Sequence, residues 1–269
     1  MSFWQNVLRI LDADMTEPTL FGWYHLLCLG ILAAYTVGLC LWAKKATFEQ
    51  MRKMVLITAI VVTVCEIYKQ INYTFGYENG ITADYQWYAF PFQFCSTPMY
   101  IGLLAGLTKK GKVHDAACAY LATFSVFAGA AVMIYPGDVF VETIGINIQT
   151  MICHGTMISV GAALFAGGHV KLEHKTILKA LPVFAVCVAI ACVMNELAHV
   201  TGLLARESFN MFYFSPYVAP SLPVYSLVQG VVPFPWSLII YIAGFTAAAY
   251  LMLLIAKGIG SIKRNKVAA

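Results

Sequence analysis

The sequence predicts an all-α membrane protein, a polytopic bundle of seven transmembrane helices with the N-terminus outside and the C-terminus cytoplasmic. Three observations carry that expectation. Of the 269 residues, 60% are apolar and 11% charged, and the mean hydropathy is +0.74, which is more apolar surface than a soluble domain of this length can hide. Apolar runs of roughly 20 residues, the length that crosses about 30 Å of hydrocarbon, recur along the whole chain. Lys and Arg collect in every second connection between those runs, as the positive-inside rule requires.

Residues 1–18 read as an interfacial segment, because Phe3, Trp4, Leu8 and Leu11 suit a short helix lying at the membrane surface. Asp12, Asp14 and Glu17 follow without a basic leader or a small-residue cleavage site, so the segment does not read as a cleaved signal peptide. The transmembrane domain, 19–256, holds spans expected at Thr19–Ala43, Met54–Phe75, Tyr88–Leu107, Asp115–Tyr135, Gly145–Gly167, Thr176–Leu203 and Pro235–Ala256. Its longest connection, 204–234, is broken by Pro216, Pro220 and Pro223 yet stays rich in aromatic residues, the makings of a lid or a re-entrant segment. A basic cytoplasmic tail, 257–269, closes the chain.

Orientation follows from the cations. Lys44, Lys45, Arg52 and Lys53 follow span one, Lys109, Lys110 and Lys112 follow span three, and Lys171, Lys175 and Lys179 surround the start of span six. The tail adds Lys257, Lys263, Arg264 and Lys266, whereas the other side has Arg9 and Arg206. The net charge of +4 therefore reports topology and not a nucleic-acid partner. The eight cysteines all fall in apolar stretches without the spacing of a disulfide framework or a zinc knuckle. No metal or other cofactor is expected. Short loops and the lack of targeting segments fit a bacterial plasma membrane.

Polar groups inside hydrocarbon each need a reason, since a central charge costs about 2.5–3.5 kcal/mol on the insertion scale. They are His25 on span one, Glu66, Lys69, Gln70 and Asn72 on span two, and Gln93 and Cys95 on span three. Span five adds Asn147, Gln149, Thr150 and His154, and span six Asn195, Glu196 and His199. With the orientation above, all lie in the outer half of their helices. Asn147, Thr150 and His154 share a face, so Asn147 or Thr150 is expected to fix the imidazole tautomer. A thiol, an imidazole and several amides at one depth are the parts of a nucleophilic site. Plainer readings stand beside this one: a buried thiol is more often inert, an intramembrane His also serves as interhelical glue, and Glu66 with Lys69 reads as an ion pair or a relay. His114, His169 and His174, next to basic turns, and the outer acids Glu78, Asp84, Asp138 and Glu142 are expected to be solvated.

The stretch Phe90-Pro-Phe-Gln-Phe-Cys-Ser-Thr-Pro-Met-Tyr100 resembles the central motif of the bacterial YwaF family, whose animal relative is transmembrane protein 164. Glu66 to Lys69, His154 in Thr150-Met-Ile-Cys-His-Gly-Thr156, and Asn210 to Ser221 extend the likeness along most of the chain. The resemblance implies a membrane-embedded acyltransferase acting on phospholipid and lysophospholipid. Cys95 would be the nucleophile that carries the acyl chain as a thioester, and His154 the base. Asn210 and the segment after it would wall the site, while Glu66, Lys69 and Asn195 would orient groups or stabilise the oxyanion. Bacterial relatives often carry His where this chain has Gln93, which leaves Gln93 an oxyanion donor here.

Two other classes compete. A transporter would also gather Glu66, Lys69 and Asn195 in a polar layer, although usually at the midplane and with repeated halves. A lipid hydrolase would use the same Cys and His and pass the acyl group to water. A retinal pigment is excluded, because Pro235–Ala256 contains no lysine.

Overall fold

The computed structural model describes every residue except Asp138, 204–207, 220–221 and Ala269, so the expectations placed on Asp138, Arg206, Pro220 and Ser221 lie outside the described residues. The chain is almost wholly helical. α1 (Phe3–Leu11) is a short helix: Ser2 and Gln5 cap each other's backbone N–H groups, and Phe3, Trp4 and Ile10 stay exposed. Among the described residues six helical stretches are long and apolar enough to span a membrane. They are α2 (Trp23–Ala43), α3 (Phe48–Asn72), the pair α5 (Lys112–Ala122) and α6 (Phe124–Ile134), α7 (Ile144–Ala166), α8 (Lys175–Val200) and α10 (Trp236–Ala268). The last continues well past Ala256, with no break where the basic tail was expected.

The expected span Tyr88–Leu107 takes a different form. Its helix, α4 (Thr97–Leu107), has 11 residues and so covers about 16 Å, roughly half the hydrocarbon thickness. Before it the chain is irregular apart from one 3₁₀ turn at Trp87–Ala89. Pro91 is the reason: it lacks an N–H and bars helical geometry at Phe90, which sits at φ −50°, ψ 134°. Pro98, in contrast, lies in the first turn of α4, where no N–H is needed. The span expected at Asp115–Tyr135 is bent at Thr123 (φ −126°, ψ −76°), whose hydroxyl donates to Ala119 O at 2.7 Å and so competes with the helix ladder.

α4 leans on α3 through Gly102 and Gly106. A Cβ on Gly106 would come within 2.5 Å of Leu56 Cβ, and one on Gly102 within 3.0 Å of Ala59 Cβ, the close approach that small residues four apart allow between membrane helices. α7 runs through the middle, packed by α2, α3, α5 and α6, and is the most buried crossing together with α5 and α6. α2 shows its apolar side chains outward, as a lipid-facing helix should.

The end of the bundle that holds α1 carries a polar cap. Tyr68 OH donates to Leu11 O at 2.6 Å, and Asp12 accepts from Asn72, Thr143 and Tyr77 at 3.2, 3.0 and 3.3 Å. A short ribbon, β1 (Phe75–Gly76) with β2 (Thr82–Ala83), completes it.

The connection between α8 and the short helix α9 (Pro223–Gln229) dips into the protein. Phe209, Asn210, Met211, Phe212, Phe214 and Ser215 are all buried. Phe94, Phe124, Phe184, Phe212, Phe214, Tyr241 and Phe245 build an aromatic core around this segment, with ring centroids as close as 4.1 Å for Tyr241 and Phe245. Irregular backbone survives at such depth only when protein satisfies its polar groups, and four side-chain amides do so. Asn195 bonds both Met211 N and Met211 O, at 2.8 and 3.0 Å. Gln93 accepts from Phe212 N at 2.8 Å and donates to Asn210 O at 3.0 Å. Asn210 accepts from Ser215 N at 2.8 Å, and Gln229 donates to Ser215 O at 2.9 Å. These clamps hold Phe212 and Tyr213 at φ 61° and 57°, left-handed geometry that costs non-glycine residues of order 1–3 kcal/mol.

Candidate functional site

The two halves of the site sit on α7 and at the head of α4. His154 is buried on α7, at the point where α6 comes close: a Cβ on Gly129 would stand 2.5 Å from His154 O. Its Nδ1 lies 2.8 Å from Thr150 O, one helical turn back. A carbonyl can only accept, so Nδ1 carries the proton and Nε2 keeps its lone pair. That Nε2 is buried and has no hydrogen-bond partner among the described residues. The tautomer is thus fixed by the Thr150 carbonyl, in place of the Thr150 hydroxyl or Asn147. The Thr150 hydroxyl donates to Gln149 Oε1 at 3.4 Å, and Asn147 turns to Val141, donating to its O at 2.6 Å and accepting from its N at 3.0 Å.

Cys95 is partly buried and immediately precedes Ser96, the N-cap of α4. It stands beside Phe94, whose ring packs edge-on against Phe184, Phe212 and Phe245. No hydrogen bond joins Cys95 to His154 in this structure.

Lys69 and Glu66 pair at 2.8 Å on α3. Gln70 extends the pair, donating from Nε2 to Glu66 Oε1 at 2.7 Å and to Ala89 O at 2.9 Å, while Tyr85 OH donates to Gln70 Oε1 at 2.7 Å. The network ties α3 to the irregular stretch that leads to Cys95. Cys65 on α3 faces Cys153 on α7, both as free thiols, and Gln149 donates to Cys153 Sγ at 3.3 Å. α3 and α7 therefore meet at residues adjacent in sequence to Glu66 and His154. A membrane-facing groove of about 440 Å³ runs between α3 and α4, with Glu66 and Gln70 on one wall and Pro91, Met99 and Tyr100 on the other.

The polar layer is only partly gathered. His199 is exposed and stacks on Tyr217 with centroids 3.7 Å apart, and Glu196 accepts from Tyr217 OH at 2.6 Å. Gln93, Asn195 and Asn210 bond the buried irregular backbone as described above. His25, fully buried, accepts from Phe21 N at 3.0 Å through Nδ1 and donates to Met133 O at 2.9 Å through Nε2. Among the described residues no three His, Cys, Asp or Glu side chains converge as a metal site would require.

One pair escaped the sequence reading. His114 is buried and not solvated: its Nδ1 donates to Ala105 O at 2.9 Å and its Nε2 faces Cys118 Sγ at 3.4 Å. The four-residue spacing within α5 was the available signal. Both side chains are closed in by alanines and Phe48, which suits a packing role. His174 likewise has a partner, Tyr250 OH.

In chemical terms the site offers a neutral imidazole with one nitrogen locked and the other bare, and a thiol at the head of a helix. No curated protein and no solved structure matches the chain. The model of the TMEM164 family matches residues 20–255, nearly the whole transmembrane domain. The chain is a membrane protein of the TMEM164 family.

Proposed function

We propose that this protein is an acyltransferase that moves a fatty acyl chain between phospholipid and lysophospholipid through a thioester on Cys95. His154 Nε2 takes the thiol proton, and Cys95 Sγ bonds the ester carbonyl carbon. The ester C–O bond breaks, and the departing lysolipid oxygen takes the proton back from His154. A second lysolipid then gives its hydroxyl proton to His154, its oxygen attacks the thioester, and the S–C bond breaks to return the thiol. Glu66 with Gln70 and Tyr85 holds Lys69 in register.

A single observation carries this reading: the bare, buried lone pair of His154 Nε2 beside an Nδ1 already held by a carbonyl. Burying an imidazole nitrogen without a partner costs free energy, and a base that must receive a proton is a reason to keep it so. The self-neutralised Glu66–Lys69 pair favours a supporting role over a transport relay. In the same reading the chain crosses seven times, with α4 and the stretch before it as the third crossing, N-terminus outside and C-terminus cytoplasmic. The test is lipid analysis of purified protein with labelled phospholipid and unlabelled lysophospholipid. Label should move to the lysolipid with wild type and not with Cys95→Ala or His154→Ala; equal transfer by all three would refute the chemistry.

A further inference from the structure

On the opposite flank of α4 from Glu66, a second groove of about 330 Å³ runs down the bundle between α4, the start of α5, and α8. Its upper end is formed by Phe92 and Thr97, within three residues of Cys95, and its lower end by Leu104 and Val113. Thr97 and Leu104 lie on one face of α4 seven residues apart, which makes that wall about 10 Å long. We propose that this groove is the acyl-chain subsite: it holds the hydrocarbon of the chain to be bonded to Cys95, and its depth sets which chain lengths are used. The inference rests on the thioester reading above.

Three features favour hydrocarbon over any other occupant. The lining is apolar in effect, because its two hydroxyls are engaged: Thr97 OH bonds Phe94 O at 2.8 Å and Tyr120 OH at 2.6 Å, and Tyr100 OH donates to Pro91 O at 2.8 Å. The groove is open sideways, with Val113, Val186 and Ile190 largely exposed on its rim, so a chain can slide in from the bilayer without crossing water. At its upper end Phe92 and Thr97 stand three and two residues from the proposed nucleophile along the chain, while the α3–α4 groove has the Glu66 carboxylate in its wall, a poor neighbour for methylenes. An ester group at the top of the α4–α8 groove would thus meet Cys95 with its tail pointing inward.

The groove can be shortened from below without touching Cys95, His154 or the Glu66 network. Leu104→Trp and the gentler Ala116→Leu fill its lower half, and Val193→Trp, on a lipid-facing part of α8 outside the groove, is the control. Full-length protein in vesicles of phosphatidylethanolamine and phosphatidylglycerol carrying equal lauroyl and oleoyl chains, with lysophosphatidylethanolamine as acceptor, gives the ratio of oleoyl to lauroyl transfer. The ratio should fall about tenfold or more in Leu104→Trp, the scale expected when a pocket loses room for several methylenes. It should fall less in Ala116→Leu and stay at the wild-type value in Val193→Trp, with lauroyl transfer retained in all. Groove variants that keep the wild-type ratio while still transferring lauroyl would overturn the subsite and leave the thioester chemistry standing. Transfer that survives Cys95→Ala in wild-type background would overturn both.

Discussion

His25 and His154 are both buried imidazoles on membrane-spanning helices, and they differ in one nitrogen. His25 accepts from Phe21 N and donates to Met133 O, so both ring nitrogens are engaged and the ring fastens the start of α2 to α6. His154 donates to Thr150 O and leaves Nε2 bare. His114 falls between them, with its second nitrogen against Cys118. Burial and the accounting of both nitrogens have to be read together, since the half-buried His169 also leaves Nε2 without a partner among the described residues. The same distinction separates the amides. Asn195 and Gln93 are engaged at both ends by the 210–212 backbone, so their place in the polar layer is explained by what they hold.

The contrast can be broken by substitution. Cys95→Ala should abolish acyl transfer, and His154→Ala should lower it by about 10²–10⁴-fold, the usual worth of a general base, with α-helical content unchanged by circular dichroism. Glu66→Ala strands the Lys69 ammonium in a buried position and should destabilise the protein by about 3–5 kcal/mol in detergent unfolding, whereas Glu66→Ala with Lys69→Met should recover most of that loss. Asn195→Ala unpairs two buried backbone groups of Met211, at about 1–3 kcal/mol each; its thermal unfolding should come earlier, and protease should cut the 208–215 segment faster. The smallest effect belongs to His25→Phe, which should lower thermal stability while leaving the rate per folded molecule at the wild-type value. A His25 variant that lost catalysis at full stability would dissolve the distinction between the two histidines.

Much of the fold was legible in the sequence because long apolar runs have one solution in lipid. The short α1 follows from Phe3, Trp4, Leu8 and Leu11, and the six long helical stretches follow from hydropathy. The expected third span did not come out as one helix, since a window of apolar residues cannot see that Pro91 ends helical geometry and that the stretch before Thr97 is irregular chain. The bend at Thr123 was hidden for a similar reason: the same hydroxyl tolerates a straight helix or bends one, and packing decides. Within the site, helical spacing rightly grouped Glu66 with Lys69 and Thr150 with His154. It failed for Asn147, Gln93 and Asn195, whose partners are backbone groups brought in by distant loops, and for His114, whose neighbour Ala105 lies on another helix. Spacing on one helix reports faces, while function here depends on which groups from other segments arrive at those faces.

The most direct test of the central claim is to look for the covalent intermediate. Purified protein incubated with radiolabelled phospholipid and no acceptor, then precipitated and treated with neutral hydroxylamine, should release label from wild type, from Cys95 by peptide mapping, and from neither Cys95→Ala nor, within the same time, His154→Ala. Label found on another cysteine, or label on Cys95 at the wild-type rate in His154→Ala, would contradict the account.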